Sequence, residues 1–127
     1  MNISVATTVQ TTFEEAVANV TEALQKEGFG ILTTIDFQAK MKEKLGKEMG
    51  RYLILGACNP ALAWDAVGAV PELGVLLPCN VIIRDAPAGI IVEAMEPKAA
   101  LGLIPDETVH RIGAEASERL NRAIASL

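Results

Sequence analysis

Residues 2–9 alternate strictly. Ile3, Val5, Thr7 and Val9 fall on one side and Asn2, Ser4, Ala6 and Thr8 on the other, which predicts a half-buried strand. The period then changes. Phe13, Ala16, Val17, Val20 and Leu24 recur at three- and four-residue spacing, one apolar stripe of a helix. Thr12 with Glu15 three positions on is a capping-box signature for a start at Phe13, and Gly28 closes the helix. Phe29 to Ile35, rich in β-branched residues, predicts a second strand. Asp36 then caps a short helix carrying Phe37, Met41 and Leu45, closed by Gly46.

Residues 51–57 are apolar with little alternation and predict a third strand, buried on both faces. Asn59 and Pro60 suit the cap and first position of a helix running to about Val70, where Pro71 stops it. That helix is apolar nearly all round, so it is expected to be buried or to sit at a subunit contact, with Trp64 in core or interface. Val75 to Arg84 predicts a fourth strand, Asp85 to Gly89 a turn, and Ile90 to Met95 a fifth strand returning as a hairpin. Residues 97–104 are ambiguous between a loop and a single helical turn. Pro105-Asp106 opens a last helix with Val109, Ile112, Ala116, Leu120, Ala123 and Leu127 in one stripe. Strands and helices do not alternate strictly. The pattern therefore predicts an α+β fold: a mainly antiparallel sheet of about five strands, in the order strand, helix, four strands, helix. Two long helices pack on one face and short helices are inserted between strands.

A chain of 127 residues is one domain, residues 1–127. Half of it is hydrophobic, enough for a core without disulfides or metals, and aromatics are so scarce that Ala, Val, Ile and Leu must fill it. The net charge of −5 and the lack of a basic cluster weigh against nucleic acid or an anionic membrane as partner. The lysines at 40, 42, 44 and 47 are interleaved with Glu43 and Glu48 and form a solvated face. No apolar run reaches membrane-spanning length, and Met1-Asn2-Ile3-Ser4 shows neither the positive nor the apolar region of a signal peptide, so none is expected. With only two cysteines, the expectation is a cytoplasmic protein with reduced thiols.

Those cysteines carry the candidate chemistry. Cys58 and Cys79 lie 21 residues apart, each at an end of a strand-like run and each followed by asparagine. Cys58 precedes a helix N-terminus, whose free N–H groups and dipole lower a thiol pKa if the sulfur faces them. Cys79 follows Pro78, which marks a strand start or an edge. The spacing lets the two sulfurs approach on adjacent strands without requiring it. Two buried small hydrophobes are the plain alternative. A metal site from both cysteines and His110 has no supporting ligand spacing, and His110 belongs on the surface of the last helix. Asn59 is first a cap, or else a contact for a ligand anion at the helix end. Arg84 is a surface charge paired with Asp85 or Glu93, or a carboxylate-binding residue. Glu93, on an otherwise apolar strand, faces solvent or is a buried carboxylate. No phosphate-binding glycine loop or nucleophile elbow is present, so no catalytic residue and no cofactor are assigned.

Gly56-Ala57-Cys58-Asn59-Pro60 followed by Leu76-Leu77-Pro78-Cys79 resembles the domain of unknown function family 302 (DUF302). The resemblance extends over most of the chain. It implies a compact α+β domain similar to the TATA-binding-protein architecture. It implies neither DNA binding nor any catalytic role, since the sheet lacks the basic, wedge-bearing surface that minor-groove binding needs. Three functions follow as expectations. The first is small-molecule binding near Cys58, Asn59, Cys79 and Arg84. The second is a thiol enzyme or redox sensor using Cys58 and Cys79. The third is a homodimer formed through the apolar helix or a sheet edge.

Overall fold

The computed structural model describes residues 2–127. Five strands form one sheet in the spatial order β1-β5-β4-β3-β2: β1 (Ser4–Val9), β2 (Gly30–Asp36), β3 (Tyr52–Cys58), β4 (Cys79–Ala86) and β5 (Gly89–Met95). Every neighbouring pair is antiparallel. Helices α1 (Phe13–Lys26), α2 (Phe37–Leu45), α3 (Pro60–Ala69), α4 (Pro97–Leu101) and α5 (Glu107–Ala125) fill the connections. The α+β class, the antiparallel sheet and the element order are those the sequence predicts.

Caps set the helix starts. Thr12, Asp36, Asn59 and Asp106 each accept a hydrogen bond from the backbone N–H three residues on. In the expected capping box only the Thr12 half forms, because the Glu15 carboxylate accepts from the Thr11 hydroxyl instead. Gly28 and Gly46 take positive φ at the ends of α1 and α2, a region that disfavours residues with a Cβ.

The core forms where the stripes of α1 and α5 meet one face of the sheet. Phe13, Ala16, Val20 and Leu24 from α1 and Ala116, Leu120, Ala123 and Ile124 from α5 are buried against Leu55, Val81, Ile83, Val92 and Ala94. Because strand side chains alternate, these inward residues fix which ones face the other way. A second, smaller cluster of Ala66, Leu73, Leu101, Val109 and Ile112 packs α3 and α4 against the first half of α5.

Three local expectations need correction. The fourth strand begins at Cys79, not Val75, because Pro71 starts a turn of 3-10 helix over Pro71–Leu76. Helix α3 is not buried within the chain: Ala66 is its one buried residue, Leu62 packs half-buried beside it, and Trp64 is 82% exposed, so Trp64 is no core residue. The third strand is buried on one face only in its first half. Leu55 points into the core while Ile54 is half-buried on the other side. Helix α2 buries none of its residues and touches the sheet through an edge-on contact of Phe37 with Tyr52. No helix among the described residues is long and apolar enough to cross a membrane.

Candidate functional site

The sequence singles out the corner where β3 hands over to α3. Ala57 of β3 lies opposite Cys79 of β4, and Cys58 lies opposite Gly30 on the far side of β3. Asn59 is buried, and its side-chain oxygen accepts from the Leu62 N–H at 3.2 Å, so one free donor of the helix end is already satisfied. Cys58 is half-buried and Cys79 buried; both are free thiols and no disulfide joins them. Burial pushes the Cys58 thiol pKa up. Burial and then the nearby Cys58 push Cys79 up to about 11. Desolvation among Leu62, Pro78 and their neighbours is the leading cause at both thiols. The cavity bordered by both cysteines measures about 30 Å³, room for a water-sized guest. Clefts that hold small organic ligands run to roughly 300–1,000 Å³.

The other sequence candidates are scattered. His110 is exposed on α5, and no group of three metal-ligating side chains comes together among the described residues. Arg84 does not pair with Asp85. Neighbouring strand residues point to opposite faces, and Asp85 is held by Arg51 at 3.1 Å. That hydrogen bond keeps the Asp85 carboxyl below its usual range. The Arg51 guanidinium also lies 4.7 Å from the centre of the Phe13 ring, tying the β3 entry to α1.

A second surface emerges only from strand register. On the sheet face turned away from α1 and α5, Ile35, Ile54, Ile82, Glu93 and Ala6 stand in one row across all five strands. Tyr52, Arg84, Ile91 and Thr8 form the next row. Ile35 is exposed, and Ile54, Ile82 and Ile91 are half-buried. Glu93 accepts a hydrogen bond from the Ser4 hydroxyl, and neither Glu93 nor Arg84 takes part in an ion pair among the described residues. At one end of this face an open cleft of about 470 Å³ lies between the sheet and α4. Ser4, Asn80, Ile82 and Glu93 line its floor, and Ala100 and Leu103 its rim.

The model of the family described as "Domain of unknown function DUF302" matches residues 5–127, nearly the whole chain. The chain belongs to the DUF302 family. This DUF302 domain is also similar to the crystal structure of an uncharacterized conserved DUF302 protein from Bacillus stearothermophilus. The TM-score is 0.90 at 25% identity, with 98% of each chain covered. Among curated proteins no match is found. The motif that carries the resemblance sits at the thiol corner of the DUF302 domain. The isoleucine row does not lie in that motif, and its one sequence signal was Glu93, a carboxylate on an apolar strand.

Proposed function

We propose that this DUF302 domain works as a binding module through the outer face of its sheet, and that the occupant is a second copy of the chain. The observation that carries this reading is the row Ile35, Ile54 and Ile82, aligned on three adjacent strands of the face away from α1 and α5. Ile35 is exposed and Ile54 and Ile82 are half-buried, so the row leaves apolar area in water that a partner would cover. Two-fold pairing of one face with itself is the commonest way for a single chain to bury such a surface. Light scattering coupled to gel filtration tests it. The wild-type chain runs as a dimer at micromolar concentration, and Ile54→Asp runs as a folded monomer. A wild-type monomer up to about 100 μM would remove the reading, since specific interfaces reach micromolar affinity or better at ordinary sizes.

A second reading, a small-molecule ligand, is favoured by the cleft of about 470 Å³ beside α4. It is large enough for a metabolite, whereas the cavity at Cys58 and Cys79 is not. Its apolar walls with Glu93 on the floor suit an amphiphile carrying a cationic or hydrogen-donating end. Dodecylamine below its micellar concentration should then raise the melting temperature of the wild type but not of Glu93→Gln. The thiol reading loses support from the raised pKa of both cysteines.

A further inference from the structure

The outer face carries two charges, Arg84 and Glu93, that take part in no ion pair among the described residues. Ile82 is directly opposite Glu93, and Arg84 is directly opposite Ile91. These four residues make a square across β4 and β5. The charges occupy one diagonal and the isoleucines the other. Diagonal neighbours in an antiparallel pair lie about 7–8 Å apart, so an intrachain ion pair would need both side chains to bend toward each other. No such ion pair forms among the described residues, and Glu93 takes the Ser4 hydroxyl instead.

Such a square is complementary to itself. Lay a second copy on it face to face, related by a two-fold axis through its centre and perpendicular to the charged diagonal. Each Arg84 then lies over Glu93 of the second copy, twice over. Ile82 and Ile91 lie close to the axis and meet their own counterparts. With strands about 4.8 Å apart and a two-residue rise of about 6.8 Å, this axis makes the strands of the two sheets cross at roughly 70°. That is nearer the orthogonal than the aligned class of sheet packing.

We infer that Arg84 and Glu93 form reciprocal ion pairs between two copies of this chain and thereby set the register of a two-fold, sheet-to-sheet interface. The inference rests on the self-association proposed above and adds which residues orient it. The isoleucines provide the apolar area. The charges provide selectivity, because any other register leaves a charge desolvated without a partner or sets like charges together.

The test is a mixing experiment. Arg84→Glu carries two carboxylates in the square, and Glu93→Arg carries two guanidinium groups. Each variant alone sets like charges against like twice, and its self-association should weaken at least roughly tenfold relative to wild type. An equimolar mixture of the two should regain dimer mass, since every contact is again between opposite charges. The double variant R84E/E93R should also dimerise. Far-UV circular dichroism checks that each chain is folded, and if one single variant is not, the double variant alone decides. Three results would overturn the inference: single variants that dimerise like wild type, a mixture that stays monomeric, or a folded double variant that does not dimerise. If Ile54→Asp abolishes a wild-type dimer while the charge variants change nothing, self-association stands and the charge register falls. If the wild type is itself monomeric, both fall.

Discussion

Ile54 on β3 stands directly opposite Ile82 on β4, on the face of the sheet that α1 and α5 leave uncovered. The two belong to the central strands, so their exposure does not come from lying at an edge. The opposite face of the same strands holds Leu55, Val81 and Ile83 in the closed core. One face of the sheet is thus a closed apolar core, and the other is an open surface on which isoleucines stand beside Glu93 and Arg84.

If a second copy covers that surface, stability must depend on concentration. A dimer that unfolds to two separate chains gains about 1.4 kcal/mol for each tenfold rise in protein. For a dimer of this size the melting temperature should climb by about 2–4 °C per tenfold. Calorimetry from 5 to 500 μM reads this directly. A melting temperature independent of concentration would speak for a monomer.

Gly56 is the one buried position on the outer side of β3, and it has no room for a side chain. A Cβ there would run into the Thr33 hydroxyl and lie 2.8 Å from Pro78 Cγ. Thr33 can rotate away, but the Pro78 ring is fixed by the backbone. Gly→Ala in a strand with space would gain some stability by restricting the unfolded chain. Here overpacking should win, and Gly56→Ala should lose about 1–3 kcal/mol in urea unfolding. An unchanged midpoint would mean that the Pro78 segment yields more easily than its packing implies.

The local parts of this fold were legible because their causes are local. Thr12, Asp36, Asn59 and Asp106 cap the helices that their positions announced, since a cap needs only its own side chain and the N–H three residues on. The stripes of α1 and α5 were legible for the same reason. Composition misled at α3: it is apolar all round but short and alanine-rich, so only Leu62 and Ala66 pack on the core while Trp64 points outward. It misled again at Val75, where an apolar run resembles a strand but Pro71 and Gly74 wind it into a tight turn. The thiol corner was found as a place but not as an environment, because desolvation depends on what packs over the sulfur. The row from Ile35 to Ile82 exists only once three strands are in register, and register is a property of pairing rather than of any one segment.

Asp106 begins α5, the helix that joins the two core clusters. Its carboxylate accepts from the Val109 N–H at 3.0 Å, and it also meets the positive end of the helix dipole. Asp106→Ala should therefore cost about 1 kcal/mol, read as a lower urea midpoint with an unchanged slope. Asp106→Asn keeps the cap oxygen and should recover most of the loss. If both variants lose equally, the charge and not the cap was the source.

The cysteines give the last prediction, and its sign follows from burial. An unfolded cysteine titrates near 8.5. Cys79 in the folded chain is pushed up to about 11, chiefly by burial and next by Cys58. The folded state thus holds this proton more tightly than the unfolded state does. The stabilisation is complete below about pH 8.5 and is lost as the pH rises toward about 11. Urea midpoints of the wild type should fall over that window, and Cys79→Ala, though less stable at neutral pH, should show a flatter alkaline limb. Alkylation with iodoacetamide gives an independent reading. Cys58, half-buried and also shifted upward, should react more slowly at pH 7 than a free thiol of ordinary pKa, and Cys79 only after unfolding. Rapid labelling of either residue at neutral pH would mean a thiolate that this packing does not allow, and would return the thiol corner to the front of the functional candidates.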